Sequence, residues 1–468
     1  MVRVTAFAFI FFISLTLKAQ KTLSLNESIA IAINNNIDVA QSTLQVETAS
    51  VNHSQSKTNL LPTVNGEIAH GMNRGRSIDP FTNSYVNQKL NYANYSLGSD
   101  IVLFNGLTLH NAIKQNMFLY NAAKMDLQQT KDNLTLAVIL AYLQVLSNDD
   151  QVALAKKQVA VTQVQLDRLE KLNKDGAIDP PQVFDLKGQL KEAELNLLTA
   201  QNSVASSKLS LTQLMNIAFD PNIQLEKVSG EELLQPFPFT VDEVYNKATN
   251  ELALVKAAEF RVRSADAAIK VSKGLLYPTL ALRCNLNSNF SSAASQEVYT
   301  NVTEEPTSGY VMFNGSKQPV YVSQKNFRTE KINYSNQLKN NVFSNVGISL
   351  RLPIFNSLAS RNRVKLATIQ SKNAGLQFQN IKIALRQEIE QANLNMNNAW
   401  SRYKILLEQV AAYAESFRAA EVRFNAGVGT SVDYMVAKDN VDRAHINLVS
   451  TQYDYLLRKK ILEFYYRK

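Results

Sequence analysis

The chain contains two copies of one unit, and this duplication constrains its fold more than any other feature. Residues 94–217 match residues 345–468 at a constant offset of 251, and an upstream block matches at an offset of 216. A period of this length is not that of a solenoid. It predicts a pseudo-symmetric molecule in which each chain supplies two equivalent sectors. The matching positions are Asn94, Phe104, Asn105, Leu107, Gly176 and Leu211, which recur as Asn345, Phe355, Asn356, Leu358, Gly427 and Leu462.

The duplication also predicts the domain organisation. We expect a first structural repeat over residues 20–217, an inter-repeat linker over 218–239 and a second repeat over 240–468. The second repeat is longer by 35 residues, the difference between the two offsets. We expect these residues to lengthen a surface loop within 281–344.

Residues 1–19 have the pattern of a secretory signal peptide. Arg3 precedes an apolar run from Ala6 to Leu17, and Leu17-Lys18-Ala19 is the expected cleavage site before Gln20. The run is too short for a membrane-spanning helix. The chain has one cysteine, Cys284, and therefore forms no internal disulfide. These features predict an exported protein.

Composition favours long elements and argues against a nucleic-acid partner. The chain has only 15 glycines and 11 prolines in 468 residues, well below the averages of about 7% and about 5%. Few turns are therefore made. The net charge is +9, but the basic residues are dispersed and form no run interleaved with aromatic residues.

Four segments alternate apolar and polar residues over about ten positions, which is the pattern of outer-membrane barrel strands. In one of them Leu280, Leu282 and Leu286 alternate with Arg283 and Asn285. Asp100 and Arg351 occupy polar positions of two others. A half-buried sheet in a soluble domain would show the same alternation, so the strands alone leave both readings open.

Each copy also contains two long helices joined near a glycine, Gly176 in the first copy and Gly427 in the second. Apolar residues recur every seven positions, which predicts supercoiled packing rather than a globular core. A helix of about 70 residues extends roughly 100 Å, a length that suits a span of the periplasm. In the first long helix of each copy these residues are Val138, Val145, Val152, Val159 and Leu166, and Ile389, Met396, Tyr403, Val410 and Phe417.

Four strands cannot close a barrel, because the smallest membrane barrels have about eight. Open sheet edges are not tolerated in lipid. The chain is therefore expected to oligomerise, with two copies supplying about eight strands and three copies about twelve.

The order of these elements resembles that of the TolC-like outer-membrane efflux proteins, the outer membrane factor family, over nearly the whole mature chain. The motifs that carry the resemblance are Leu60-Leu61-Pro62, Leu276-Tyr277-Pro278, Leu352-Pro353-Ile354-Phe355-Asn356 and the segment from Arg423 to Thr430. The resemblance implies a mainly α protein with membrane β structure. Specifically, it implies a homotrimer in which a 12-stranded outer-membrane β-barrel continues into a 12-helix periplasmic α-barrel.

The family also implies a function, that of exit duct in a tripartite efflux or type I secretion system. Transport is passive, the tube extends from the outer membrane into the periplasm, and no cofactor is needed. The partners implied are a periplasmic adaptor (membrane fusion) protein, an inner-membrane pump and outer-membrane lipid. The polar strand residues Asp100, Arg283, Asn285 and Arg351 would then face the lumen.

The ends of the helical hairpins are where such a tube closes. The resemblance places an acidic gate residue at Asp433, whereas the position of a second family carboxylate holds Val436. Phe424 replaces an aromatic hydroxyl partner, and Gln182 replaces an acidic partner in the first copy. Few polar contacts are therefore available to hold the hairpin ends together, and we expect the closed state of the tube to depend on apolar packing.

The same two hairpin ends are the expected docking points for the adaptor. At the first they comprise Gly176, Asp179 and Pro180, and at the second Gly427, Gly429 and Thr430. Gly429 occupies a position that is basic in well-known members of the family.

A simpler role for these polar residues is helix capping. Thr430 with Asp433, and Asp179 with Gln182, both have the spacing of a capping box, and Pro180 suits the first helical position. Asp433 could act as a cap alone or as a cap and a gate, and the two roles are compatible.

The sequence offers no catalytic or metal-binding constellation. The four histidines are isolated from other ligands, and phosphate-binding or nucleophile motifs are absent. We therefore expect neither an enzyme nor a metal site. The alternative to a channel is a non-conducting coiled-coil protein of the cell envelope with a structural or adhesive role.

Overall fold

The computed structural model describes residues 22–79, 81–176, 178–227 and 235–467. The predicted signal peptide lies outside the described residues, as does part of the predicted linker. The chain divides into two compact units. A helical unit comprises the described residues of 1–51, 117–264 and 372–468, and a sheet unit comprises those of 52–116 and 265–371.

Helices make up most of the described chain, as the sequence predicted. They are α1 (Leu25–Asn35), α2 (Ile37–Thr58), α3 (Thr108–Lys174), α4 (Pro180–Leu214), α5 (Val241–Glu251), α6 (Ala253–Gly274), α7 (Tyr334–Asn340), α8 (Ala359–Asn425) and α9 (Ser431–Arg467). The strands are β1 (Thr63–Asn73), β2 (Arg76–Ile78), β3 (Tyr85–Asn87), β4 (Leu90–Phe104), β5 (Thr279–Ser291), β6 (Ser295–Phe313), β7 (Ser316–Lys331) and β8 (Phe343–Arg351).

The elements repeat at the offsets found in the sequence. Both α3 and α8 have 67 residues, and their first residues are 251 positions apart. Likewise α1 and α5 have 11 residues each, with starts 216 positions apart. Equivalent capping boxes begin these two helices, Ser24 with Glu27 and Thr240 with Glu243. The predicted class, mainly helical with a smaller sheet, is confirmed.

Apolar residues at heptad positions form the cores of the helical unit. Val138 and Val145 of α3 are fully buried with residues of α1 and α2, and Ile389 and Met396 of α8 are buried with residues of α5 and α6. Leu211 belongs to the first of these clusters. In both cores the buried faces of α3 and α8 are those predicted from the heptad positions. Among the described residues, no helix is long and apolar enough to cross a membrane.

The segment predicted to link the two repeats contacts the helices where the structure describes it. Leu225 forms a parallel bridge with Leu23. The hydroxyl of Tyr142 lies 2.9 Å from the carbonyl oxygen of Leu23 and 2.7 Å from that of Glu226. Lys227 forms an ion pair with Asp150, with 2.8 Å between Nζ and Oδ1. The segment therefore has fixed neighbours on α3.

The sheet unit contains the four predicted strands in one antiparallel sheet of order β1-β4-β5-β8. Short strands β2 and β3 pair with each other in the connection from β1 to β4. The extra residues of the second copy differ from the expected loop, because β6 and β7 form a long two-stranded hairpin. Its turn, Asn314-Gly315, has positive φ at both residues (52° and 83°), as a two-residue hairpin turn requires.

Candidate functional site

One face of the four-stranded sheet carries the polar residues singled out from the sequence. Asp100 and Arg283 are direct cross-strand partners, and 2.9 Å separates Arg283 Nε from Asp100 Oδ1. Asn285 lies opposite Asn345, and Arg351 lies opposite Thr279. Because side chains alternate between faces along a strand, this register brings Asp100, Arg283, Asn285 and Arg351 to the same face. The Asp100–Arg283 pair is exposed, with 57% and 59% of the two side chains accessible.

The opposite face of the sheet is apolar and largely uncovered in a single chain. Leu97 pairs with Leu286, and Ile348 pairs with Leu282 on the same face. Ile348 is 69% exposed and Ile68 of the edge strand β1 is 73% exposed. Apolar patches beyond a few hundred Å² are rare on monomeric soluble proteins and indicate a membrane or protein contact. The sheet thus has one face suited to water and one suited to lipid.

The hairpin end between α8 and α9 is a tight turn followed by a side-chain N-cap at the start of α9. Gly427 has a φ of 75°, a left-handed conformation that glycine adopts without strain. The amide of Asp433 donates to Thr430 Oγ1 at 3.1 Å, and Thr430 Oγ1 donates to Asp433 Oδ2 at 2.7 Å. The predicted N-cap role of Thr430 is therefore confirmed, and the Asp433 carboxylate contacts the Thr430 hydroxyl. Asp433 is also solvent-exposed, which leaves it free for a second role.

The absence of a basic side chain at Gly429 has a steric cause. A Cβ atom at this position would lie 3.0 Å from the amide nitrogen of Phe424 and 3.2 Å from the carbonyl carbon of Arg423. The amide of Gly429 donates to the carbonyl oxygen of Arg423 at 3.0 Å. The turn folds back onto the end of α8 so closely that only glycine fits without a shift of the backbone.

The hairpin end between α3 and α4 has similar geometry but different capping. Gly176 has a φ of 65°, and Pro180 is the first residue of α4. Asp179 is the N-cap, yet its side chain makes no capping hydrogen bond, so the predicted Asp179–Gln182 capping box is wrong. Pro181 has no N–H to offer, and the Gln182 amide already donates to the carbonyl oxygen of Asp179 at 3.2 Å. The Asp179 side chain is exposed at this end.

Phe424 joins the two hairpins of one chain. Its half-buried ring packs against an apolar cluster from α3 and α4 that includes Leu166, Leu169 and Val183. It also stacks on Tyr434 of α9, with ring centroids 5.0 Å apart. Phe424 thus contributes packing at this end.

Tyr434 also lies at this hairpin end, and the sequence identified it only as an apolar heptad position. Its side chain is 2% exposed, and its hydroxyl has no hydrogen-bond partner among the described residues. Burial raises the pKa of the Tyr434 hydroxyl to about 12, and the nearby carboxylates of Glu421 and Asp442 act in the same direction. A buried hydroxyl without a partner destabilises the folded state, because it loses its hydrogen bonds to water without replacing them.

Val436 lines an open cleft of about 420 Å³ between α3, α4 and α9. Val436 is 56% exposed, whereas Gln182 is half-buried at the start of α4. The cleft also contains the ion pair of Lys438 and Asp442, with 2.6 Å between Nζ and Oδ2. No group of three or more potential metal ligands occurs among the described residues.

Sequence reasoning missed the polar contact that ties the two hairpins together. The guanidinium of Arg168 on α3 donates to the side-chain oxygen of Asn425 at the end of α8. The two residues are 257 positions apart, and heptad patterns identify buried faces without identifying which helix covers them. The sequence predicted only that each of these two residues lies on a long helix.

Comparison with known proteins identifies the chain's relatives. The family model described as "Outer membrane efflux protein" matches residues 29–216 and 244–464. An uncharacterized protein of Haemophilus influenzae is 23% identical over 339 residues, which cover 69% of this chain and 70% of the relative. "Toxin and drug export protein A" of Aggregatibacter actinomycetemcomitans is 22% identical over 334 residues, which cover 69% of each chain.

Solved structures share the fold. The outer membrane protein VceC of Vibrio cholerae superimposes with a TM-score of 0.72 at 14% identity, covering 94% of both chains. The CmeC outer membrane channel of Campylobacter jejuni gives a TM-score of 0.72 at 15% identity, covering 94% of this chain and 85% of CmeC. The open state of the MtrE outer membrane channel of Neisseria gonorrhoeae gives 0.66 at 16% identity, covering 94% and 88%.

Proposed function

The chain belongs to the outer membrane efflux protein family and is an efflux channel of the outer membrane that extends into the periplasm, and we propose that it works as a homotrimeric tube. In this assembly each chain contributes its four-stranded sheet to one barrel and its long helices to another. Molecules leave the cell through the lumen without any energy input from the channel itself.

The unpaired edges of the sheet support an oligomer. β1 and β8 are the outer strands of the sheet, so each has one side without a strand partner among the residues that the structure describes. Backbone N–H and C=O groups left unpaired in lipid each destabilise the fold by several kcal/mol. Pairing of β8 in one chain with β1 of the next satisfies both edges at once.

Three copies suit a conducting tube better than two. A barrel of about eight strands is just wide enough for its own side chains to fill the interior. Twelve strands leave an aqueous lumen that the polar face, with Asp100, Arg283 and Asn285, would line. Channels of this family are also trimers.

The observation that carries the proposal is the exposed apolar face opposite this polar face. A non-conducting coiled-coil protein of the envelope has no use for a sheet whose one face is apolar and uncovered. Val346 and Ile348, which are 72% and 69% exposed, would then contact outer-membrane lipid. The long helices alone would fit either function.

The partners follow from the family. A periplasmic adaptor would hold the hairpin ends, and an inner-membrane pump would supply the energy and select the substrate. The relative from Aggregatibacter is named for the export of toxin and drugs, so both small molecules and polypeptides are candidates. As a member of a family of channels, the chain is not expected to catalyse a reaction.

Single-particle imaging of the detergent-solubilised mature protein tests the proposal. We expect a three-fold tube longer than roughly 100 Å, as helices of this length dictate, with a lumen along its axis. A solid rod, or a particle without a lumen, would instead favour the structural envelope protein. Planar-bilayer recordings of the same sample should show discrete conductance steps.

A further inference from the structure

The apolar face of the four-stranded sheet contains a groove of about 430 Å³. Four apolar side chains line it, and each of them is at least 45% exposed: Ile68, Leu97, Leu286 and Val342. Leu97 and Leu286 are direct cross-strand partners, so the groove crosses β4 and β5 near the middle of the sheet. Its fourth wall comes from the segment that connects α7 to β8.

Gly66 of β1 leaves this part of the face without a side chain. Val64 and Ile68 share its face, because alternate residues of a strand point to the same side. Gly66 is not among the residues with positive φ, and a Cβ atom here would have one neighbour within 4 Å, Leu97 Cδ1 at 3.9 Å. Neither conformation nor crowding therefore calls for glycine. A glycine inside a strand often marks a place where a ligand closely approaches the backbone.

The short helix α7 lies across one end of the groove, on the same face of the sheet. The ring of Tyr334 packs on Phe290, with centroids 4.5 Å apart. Its hydroxyl forms a hydrogen bond with the hydroxyl of Tyr95, which lines the groove. Ser288, another lining residue, donates from Oγ to the carbonyl oxygen of Leu338 at 2.7 Å. The groove is thus open along the sheet and bounded at this end by hydroxyl groups.

A buried amide fixes α7 to the sheet. Gln337 is 1% exposed. Its Nε2 donates to the carbonyl oxygens of Ser291 at 3.0 Å and Ile332 at 2.8 Å, and its Oε1 accepts from the amide of Ser291 at 2.9 Å. The side chain of Asn341 donates to the carbonyl oxygen of Asn289 at 3.0 Å. This end of the groove is therefore pre-organised, and a bound molecule would not have to order it.

The segment that contains α7 is basic and rich in amides. Lys331 and Lys339 are the only charged residues between positions 331 and 343, and both are exposed. Lys339 follows Leu338 and precedes Val342 by three positions, which places it at the rim of the groove. A lysine can lay its methylene groups along apolar surface and keep its ammonium group in water. The amides of the segment are those of Asn333, Asn336, Gln337, Asn340 and Asn341.

We infer that this groove binds a lipid of the outer leaflet that carries an anionic headgroup, with an acyl chain along Gly66 and Leu97 and the phosphate beside Lys339 and Lys331. The inference rests on the tube proposed above, in which α7 lies at the exterior end of the sheet. A crevice in an apolar surface at membrane depth is filled by lipid chains, because no water is present there. Basic segments beside a membrane recognise anionic headgroups.

One carboxylate borders the groove without opposing this assignment. Glu67 is among the lining residues, but it alternates with Gly66 and Ile68 along β1. Its position therefore belongs to the polar face of the sheet. The apolar face carries the groove, and the cations of the α7 segment stand at its end.

Native mass spectrometry of the detergent-solubilised trimer measures which lipids are retained. The probes are phosphatidylglycerol and phosphatidylcholine with identical acyl chains, which share a phosphate and differ in net headgroup charge. We expect one phosphatidylglycerol per chain and an affinity for phosphatidylcholine lower by about fivefold for each lysine involved, the factor that one cation contributes at an anionic membrane surface. Equal retention of the two lipids would overturn the assigned headgroup.

Filling the groove tests the place of the acyl chain. Gly66→Leu should lower the retention of phosphatidylglycerol at least about tenfold, because each methylene group displaced from apolar contact lowers affinity about fourfold. Gly347→Leu is the matched control. Gly347 lies opposite Arg283 on the polar face, and a Cβ atom there would meet only Asn345 Oδ1, at 3.6 Å. Equal losses in both variants, or dissociation of the trimer by Gly66→Leu alone, would overturn the groove as a lipid site.

Neutralising the cations tests the place of the phosphate. The double variant Lys331→Gln/Lys339→Gln should retain phosphatidylglycerol no better than phosphatidylcholine, whereas Lys325→Gln, at an exposed position of β7, should keep the wild-type preference. An unchanged preference in the double variant would refute the role of these lysines. A wild-type protein that forms no three-fold tube would reject the proposed function, whereas a tube that does not discriminate between the lipids would reject the lipid site alone.

Discussion

The ring of Phe424 stacks on the ring of Tyr434, with centroids 5.0 Å apart and planes inclined by 27°. Phe424 lies in the last turn of α8 and Tyr434 in the first turn of α9, so the stack joins the two helices next to the hairpin turn. Phe424 also packs on the first hairpin. The hairpins are therefore held at this end by aromatic packing together with the Arg168–Asn425 hydrogen bond.

The hydroxyl of Tyr434 should be dispensable for stability. Tyr434→Phe removes a buried group without a partner and should raise the free energy of unfolding by about 1 kcal/mol. Tyr455→Phe is the matched control, because Tyr455 is also buried but donates to the carbonyl oxygen of Gln235 at 2.6 Å. It should lower the free energy by a similar amount. Thermal unfolding followed by circular dichroism distinguishes the two signs, and equal destabilisation would indicate that Tyr434 has a partner in solution.

Alkaline pH should destabilise the helical unit through its buried tyrosines. Burial raises the pKa of Tyr434 and of Tyr455 to about 12 from a usual value of 10.0. Between these values the unfolded chain loses the protons while the folded chain keeps them, so the free energy of unfolding falls as pH rises. The double variant Tyr434→Phe/Tyr455→Phe should lose less stability from pH 10 to pH 12 in thermal melts. A loss equal to that of the wild type would show that other groups govern the effect.

Asp433 can be tested as a gate separately from its capping role. Asp433→Ala should raise the leak conductance or lower the preference for cations in planar bilayers, because it removes a carboxylate near the expected constriction. Asp433→Asn keeps an acceptor for the Thr430 hydroxyl but no charge. If both variants lower cation preference, Asp433 acts through its charge. If neither variant changes conductance or selectivity, Asp433 is a helix cap only.

Substitution of Gly427 should leave the trimer able to assemble but should impair its coupling to the adaptor. A side chain here meets no atom within 4 Å, and the strain of the left-handed backbone amounts to roughly 1 kcal/mol. Gly427→Glu should therefore form trimers yet impair export by cells that contain the cognate adaptor and pump. Gly427→Asn, a residue that tolerates this conformation, is the uncharged control. Full export by Gly427→Glu would exclude this turn from adaptor docking.

Helices and strands were predicted from the sequence more accurately than the contacts between them. The 251-residue offset carried the bounds of α3 onto α8 without error, because the same heptads and the same terminal glycine recur. The segment of the β6–β7 hairpin is rich in Ser, Asn, Thr and Tyr and was expected to form a surface loop. Most residues of β6 are exposed in the structure, so no buried face marks the strand in the sequence. Strand pairing within the hairpin, rather than a buried face, holds it together.

The contacts at the hairpin ends could not be predicted from the sequence. The Asp179–Gln182 spacing predicted a capping box, but capping also needs donors in the first turn, and Pro181 removes one of them. The Arg168–Asn425 contact joins segments whose proximity depends on how two hairpins pack. Periodicity records the side of a helix that is buried and carries no information about the partner.

The β6–β7 hairpin ends in the Asn314-Gly315 turn, held by the pairing of Phe313 with Ser316. It follows β5 in the chain, and in the tube proposed above we expect it to lie on the cell exterior. Because its register depends on its own two strands, a short peptide inserted at this turn would leave the four-stranded sheet undisturbed. The turn is thus a natural point for attaching a fluorophore or an affinity label to living cells, so that copies of the channel could be counted without breaking the envelope.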